Sequence, residues 1–180
     1  MLIPMNVFLI GYRCTGKTTV GACLAQRLDW GFVDTDRKVV ETTGVSIAQM
    51  VEANGWPFFR EQECKALCAV STVDNQVVAT GGGIVLDDRN ISIMRTSGKV
   101  VWLTASEKTI QARMLGDETT AGSRPSLTGE GLIAEVFSVL RARKPLYEKA
   151  ADFQTATDRD SVTAVCDRII TALGLATEAG

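Results

Sequence analysis

The chain has 180 residues, 46% of them hydrophobic and 22% charged, with a formal net charge of −2. That length and apolar content predict one globular domain with a substantial core, and the near-neutral total offers no footing for nucleic acid or a membrane surface, although a basic cleft fits inside it. Histidine is absent, which excludes imidazole as base or ligand and with it His-based triads and most catalytic zinc sites.

The first ten residues are apolar but short, with neither a basic leader nor a small-residue cleavage site. No apolar run reaches the ~20 residues needed to span a bilayer. Residues 6–10, NVFLI, read as a buried strand, and 18–28 place Val20, Leu24 and Leu28 at helical spacing. Phe32 and Val33 form a very short strand ending in DTD, Asp34 to Asp36. Ser46 with Gln49 predicts a capping box for a helix through Glu52, and 58–70 a second helix. Residues 76–79 and 99–103 are further strands, the first running into TGGG. Thr104 with Glu107 predicts a capping box for a helix to Leu115. Residues 138–147 form another helix, which Pro145 is expected to kink or stop. A weak strand at 153–156 and a helix capped by Asp160 or Ser161 and ending near Leu173 complete the pattern.

Strands and helices alternating at this spacing predict an α/β fold with a parallel sheet covered on both faces. The segment 116–131, GDETTAGSRPSLTGEG, has little core character. It reads either as a surface loop or as a lid that carries Arg124 over a site. Residues 1–174 are expected to form the single domain and 175–180 a disordered tail. Five cysteines, an odd number without C-x-x-C, argue against a disulfide framework and for a reducing compartment. Cys64 and Cys68, four apart on a predicted helix, read as two buried small hydrophobes in preference to metal ligands.

The chemistry begins at GYRCTGKTT, Gly11 to Thr19. Its G-x-x-x-x-G-K-T spacing, with a strand before and a helix after, is that of a phosphate-binding P-loop. Gly11, Cys14, Thr15 and Gly16 would wrap their backbone around a nucleoside triphosphate at a helix N-terminus. Lys17 would reach the β- and γ-phosphates, and Thr18, next to Thr19, would bind Mg²⁺. The motif alone leaves open a GTPase switch, a motor fragment and a small-molecule kinase. No N-K-x-D base motif supports the first.

Three features point to a second ligand. DTD, at the end of the second strand, reads either as an acidic turn or helix cap, or as a site in which Asp34 meets Mg²⁺ through water and Asp36 binds acceptor hydroxyls and orients or takes the attacking proton. In TGGG, Gly81, Gly82 and Gly83 remove side chains where something must come close. Arg60 and Arg143 would suit a carboxylate on the acceptor, and Arg124 the phosphates.

GYRCTGKTT, FVDTD, WPFFREQE, VVATGGG, SRPSLTG and RKPLYEKAADF, in this order, resemble the shikimate kinase family over nearly the whole chain. The P-loop is shared by many kinases; the combination with DTD, FR-x-x-E, TGGG, RP-x-L and R-x-PLY is far more specific. The resemblance implies transfer of phosphate from Mg-ATP to the 3-hydroxyl of shikimate in aromatic amino-acid biosynthesis. It implies a three-layer αβα P-loop kinase fold with five parallel strands in the order 2-3-1-4-5, a substrate-binding region at about 36–67 and a mobile lid at about 116–131. It also implies a cytoplasmic monomer. Asp36, Arg60, Gly82 and Arg143, with Gly81 and Gly83 beside them, match shikimate-binding positions; Thr18 and Asp34 match those around Mg²⁺. Lys17 matches the P-loop lysine and Arg124 the lid arginine on ATP. Arg113 and Arg159 fall near positions that pack on adenine. The stretch before Arg124 departs from the family pattern. The rivals are a gluconate kinase-like enzyme and a non-catalytic ATP-binding module.

Overall fold

The computed structural model describes residues 5–116 and 134–175. Five parallel strands form one sheet in the order β2-β3-β1-β4-β5, the order that the resemblance implied. They are β1 Asn6–Ile10, β2 Gly31–Asp34, β3 Gln76–Ala79, β4 Gly98–Thr104 and β5 Phe153–Ala156. The described helices are α1 Lys17–Leu28, α2 Thr35–Thr43, α3 Ile47–Val70, α4 Asp88–Ser97, α5 Glu107–Gly116, α6 Glu135–Ala150 and α7 Val162–Leu173.

Every residue of β1 is buried, because an inner strand of such a sheet is covered on both faces. Alternate side chains separate the two cores. Val7 and Leu9 join Val77, Val101 and Leu103 against α1 and α7, through Leu24 and Ile169 among others. Phe8 and Ile10 join Val78, Val100 and Trp102 against Leu67 of α3, Met94 of α4 and Tyr147 of α6. Each such side chain contributes about 1.5–3 kcal/mol of gross burial. The chain leaves β1 toward β2 and leaves β3 toward β4, on opposite sides. The crevice beyond the C-terminal ends of β1 and β3 is therefore the switch point where open sheets place ligands.

Several local expectations change. The helices predicted at 46–52 and 58–70 are one run, Ile47–Val70, broken at Gly55 (φ 78°, ψ 171°). Pro57 follows the break, in a first turn that has no use for its missing N–H. The Ser46–Gln49 capping box is present. The cap of α5 is Ser106, whose Oγ accepts from Thr109 N at 3.2 Å; Thr104 is still the last residue of β4. Pro145 does not end α6, which continues to Ala150. Arg141 and Pro145 both lie on the exposed face, so the carbonyl released by proline faces water, while buried Tyr147 and Ala150 hold the last turn. Cys64 is buried but Cys68 is exposed. Helices α2 and α4 were not expected. The first is short and polar with Val39 as its buried apolar anchor; the second buries Ile91 and Met94 behind an Asp87 cap.

Candidate active site

The loop after β1 turns through positive φ at Gly11 (140°), Cys14 (60°) and Gly16 (94°), two of the three being glycines that adopt it freely. Gly16 caps α1 without any side-chain hydrogen bond, so the first-turn N–H groups remain for an anion. Thr15 Oγ1 donates to Tyr12 O at 2.8 Å. Lys17 is buried and its ammonium folds back on the loop, donating to Gly11 O (2.9 Å) and Tyr12 O (2.8 Å). Thr18 Oγ1 donates to Asp34 Oδ2 at 3.0 Å. The other oxygen of Asp34 accepts from Asp36 N (3.0 Å) and Arg37 N (3.3 Å), capping α2. One carboxylate thus joins the P-loop to the start of α2, and with the Thr18 hydroxyl it offers hard oxygen donors suited to Mg²⁺.

On one side of the loop, Cys14, Gly16, Thr19, Arg113 and Thr157 border a cleft walled by Val162 and Val165. Arg113 donates from Nη1 to Cys14 O (3.1 Å) and from Nη2 to Thr157 O (2.6 Å). Thr157 Oγ1 in turn donates to Thr15 O at 2.9 Å, so α5 and the segment after β5 brace the loop from behind. Arg159 is exposed and borders the adjoining cleft with Ser106 and Lys108; Asp160 borders both.

On the other side, Asp36, Arg60, Arg143 and the three glycines after β3 converge on a second cleft. Arg60 lies over the Phe59 and Trp56 rings, 5.1 and 5.4 Å from their centroids, and its Nη1 meets Glu63 Oε2 at 2.5 Å. Glu63 is 0% exposed. Burial, aided by the nearby Asp36 carboxylate and opposed by Arg60 and Arg143, pushes its carboxyl up to about 7. Arg143 Nη1 donates to Gly82 O at 3.0 Å, and Tyr147 Oη donates to the same carbonyl at 2.5 Å. Burial raises that phenol to about 12, which keeps it a donor. A Cβ on Gly81 would lie 2.7 Å from Asp36 Oδ1 and collide with Glu63 Oε1; one on Gly83 would collide with the Arg60 guanidinium. The glycines therefore make room for the protein's own charged side chains.

The chain matches the family model described as shikimate kinase over residues 13–174. It is 41% identical over 173 residues to the shikimate kinase of Syntrophus aciditrophicus, covering 92% of this chain and 89% of that one. The chain belongs to the shikimate kinase family. Similarity to shikimate kinase 2 of Dickeya chrysanthemi is 42% over 161 residues, covering 89% and 92% of the two chains. The solved structure of shikimate kinase from Acinetobacter baumannii in complex with shikimate is similar at a TM-score of 0.87 and 29% identity, covering 95% of this chain and 93% of that one.

For this member of the shikimate kinase family, the fold brings Lys17, Thr18, Asp34, Asp36, Arg60, Gly81, Gly82, Gly83 and Arg143 to one end of the sheet. Arg124 and all of the expected lid except Gly116 lie outside the described residues. Sequence reasoning quoted Glu63 only as part of FR-x-x-E and gave no role to Arg13. Arg13 lines the second cleft, and its Nη2 is 3.6 Å from Glu135 Oε1, with both side chains buried. The i, i+3 spacing of Arg60 and Glu63 was a readable signal of a pair. Nothing local ties Arg13 to Glu135.

Proposed function

We propose that this protein transfers the γ-phosphate of ATP to the 3-hydroxyl of shikimate, giving ADP and shikimate 3-phosphate. The observation that supports this reading most is the pairing, across one crevice, of a P-loop with a cleft bearing Arg60, Arg143 and Asp36. The two guanidinium groups suit an acceptor carboxylate, and Asp36 suits its hydroxyls. The triphosphate sits on Gly11, Cys14, Thr15, Gly16 and Thr19, with the base near Arg113 and Arg159. Thr18 and Asp34, whose side chains already meet at 3.0 Å, would hold Mg²⁺. The metal supplies neutralisation of phosphate charge. Asp36 orients the attacking hydroxyl by accepting its hydrogen bond. The hydroxyl oxygen bonds to the γ-phosphorus as the bond to the β,γ-bridging oxygen breaks, the electron pair leaves with ADP, and the hydroxyl proton passes to Asp36 or to a phosphate oxygen. Lys17 and Arg124 stabilise charge on the transferring group. The 116–131 segment acts as a lid that excludes competing water. Residues 36–67 form the substrate-binding region of a single domain spanning 1–174.

A cytoplasmic monomer is part of this reading; among the described residues no helix is long and apolar enough to cross a membrane. An assay coupling ADP release to acceptor addition tests the function. Shikimate is expected to be turned over and gluconate not, with the phosphate located on the 3-oxygen by NMR. Turnover of gluconate alone, or ATP binding without acceptor-dependent ADP release, would sink the proposal.

Gly81→Ala tests the acceptor side. Its methyl would displace the Glu63 and Asp36 carboxylates, and a shift of this size should lower kcat/KM for shikimate by about 10–100-fold. The KM for ATP, measured in the same rates, should change by less than about twofold, since the methyl meets no P-loop atom among its nearest neighbours.

A further inference from the structure

Glu63 is the most deeply buried carboxylate of the acceptor cleft. Its Oε2 is bound to Arg60. Its Oε1 has no hydrogen-bond partner among the described residues and points to the spot that a Gly81 side chain would fill. Asp36 Oδ1 borders the same spot, so two carboxylates face each other across a missing methyl group. The charged groups acting on Glu63 are Arg60 on its own helix, Asp36 at the start of α2 and Arg143 on α6. Arg13 reaches the cleft from the P-loop and is already matched by Glu135 on α6. The segment after β3 contributes only backbone and no charge.

A charge count follows. In the empty cleft Arg60 and Arg143 balance Asp36 and Glu63. An acceptor carboxylate placed on the two arginines leaves three anionic groups against two cations in a desolvated space. Such a cleft lowers its energy by neutralising the group that is hardest to solvate.

We propose that Glu63 takes up one proton from solvent when the acceptor binds, so that its carboxyl is neutral in the complex and Oε1 becomes an O–H donor facing the cleft. The step forms one O–H bond on Glu63 and breaks one in a buffer acid or hydronium ion; no electrons are exchanged. It makes Glu63 a positioning residue, which holds Arg60 with one oxygen and donates with the other. The inference rests on shikimate being the acceptor. A chain without histidine lacks the usual source of proton uptake near neutrality. Because burial already brings Glu63 to about 7 in the empty cleft, the sign is fixed. Below that value the proton is present before binding. Above it, binding must bring the proton in.

The test is calorimetric titration of the full chain with shikimate in buffers of different ionisation heat. Uptake should exceed about half a proton at pH ~8 and fall toward zero at pH ~6, while affinity weakens by up to about tenfold over the same rise. In Glu63→Gln, which mimics the neutral carboxyl, uptake should vanish and affinity should become pH-independent. The wild-type titration decides the proton question even if the variant does not fold. Binding heat that is independent of buffer at pH ~8, or uptake that persists in Glu63→Gln, would overturn the proposal alone. No binding heat with shikimate in any buffer would overturn the acceptor assignment and the proposal with it.

Discussion

Replacing Lys17 with alanine should lower kcat by at least about 10³-fold while leaving the fold in place. In the proposed function the ammonium is the positive charge that the P-loop brings to the β- and γ-phosphates, and phosphoryl transfer depends on charge stabilisation more than on covalent help. Before nucleotide arrives, the same ammonium satisfies Gly11 O and Tyr12 O. Its loss therefore also loosens the loop, at about 1 kcal/mol for each hydrogen bond. Lys17 is a member of neither sheet core. The urea midpoint should drop modestly with an unchanged circular dichroism spectrum, and steady-state rates give the catalytic loss. Turnover within about tenfold of wild type would remove Lys17 from the transition state.

Arg60→Ala should raise the KM for shikimate by about 10²-fold and change the KM for ATP by less than about threefold. In the proposed function the guanidinium is one of the two cations that meet the acceptor carboxylate; it lines the acceptor cleft and not the cleft beside Thr19 and Arg113. Equal losses for both substrates would contradict that placement. The variant also strips Glu63 of its ion-pair partner. Breaking such a buried pair typically costs about 3–5 kcal/mol, but a proton on Glu63 relieves part of it. Removing Arg60 pushes the Glu63 carboxyl higher still, so both folded proteins hold the proton below about 7. The stability deficit should therefore be constant below that pH and grow above it. Urea denaturation of both proteins across the range measures the divergence.

The nucleotide half of the site is legible in the chain itself. Its chemistry is local: nine consecutive residues, Gly11 to Thr19, form the loop, and the positive φ that the loop needs falls on Gly11, Gly16 and Cys14. The strands were equally open to reading, since β1, β3 and β4 bury both faces and so appear as unbroken apolar runs. Helix α2 was missed because nine residues, seven of them polar and only Val39 a buried apolar anchor, leave no periodicity to detect. Pro145 does not stop α6, because its effect depends on which face of the helix looks at water, and that is set by packing.

The acceptor half is different in kind. Arg60, Arg143, Asp36 and Glu63 come from three helices, and no spacing in the chain states that they meet. Their residue types, and the resemblance carried by FR-x-x-E, TGGG and R-x-PLY, named most of them in advance. What the sequence alone determined was the P-loop, the alternation of strand and helix, and the absence of imidazole. What only the tertiary structure decided was that Gly81 and Gly83 clear space for Glu63 and Arg60, that Arg13 is matched by Glu135, and that Glu63 is shut away from water. Burial and charge balance are properties of surfaces brought together by folding, and a linear pattern holds no record of which surface covers which.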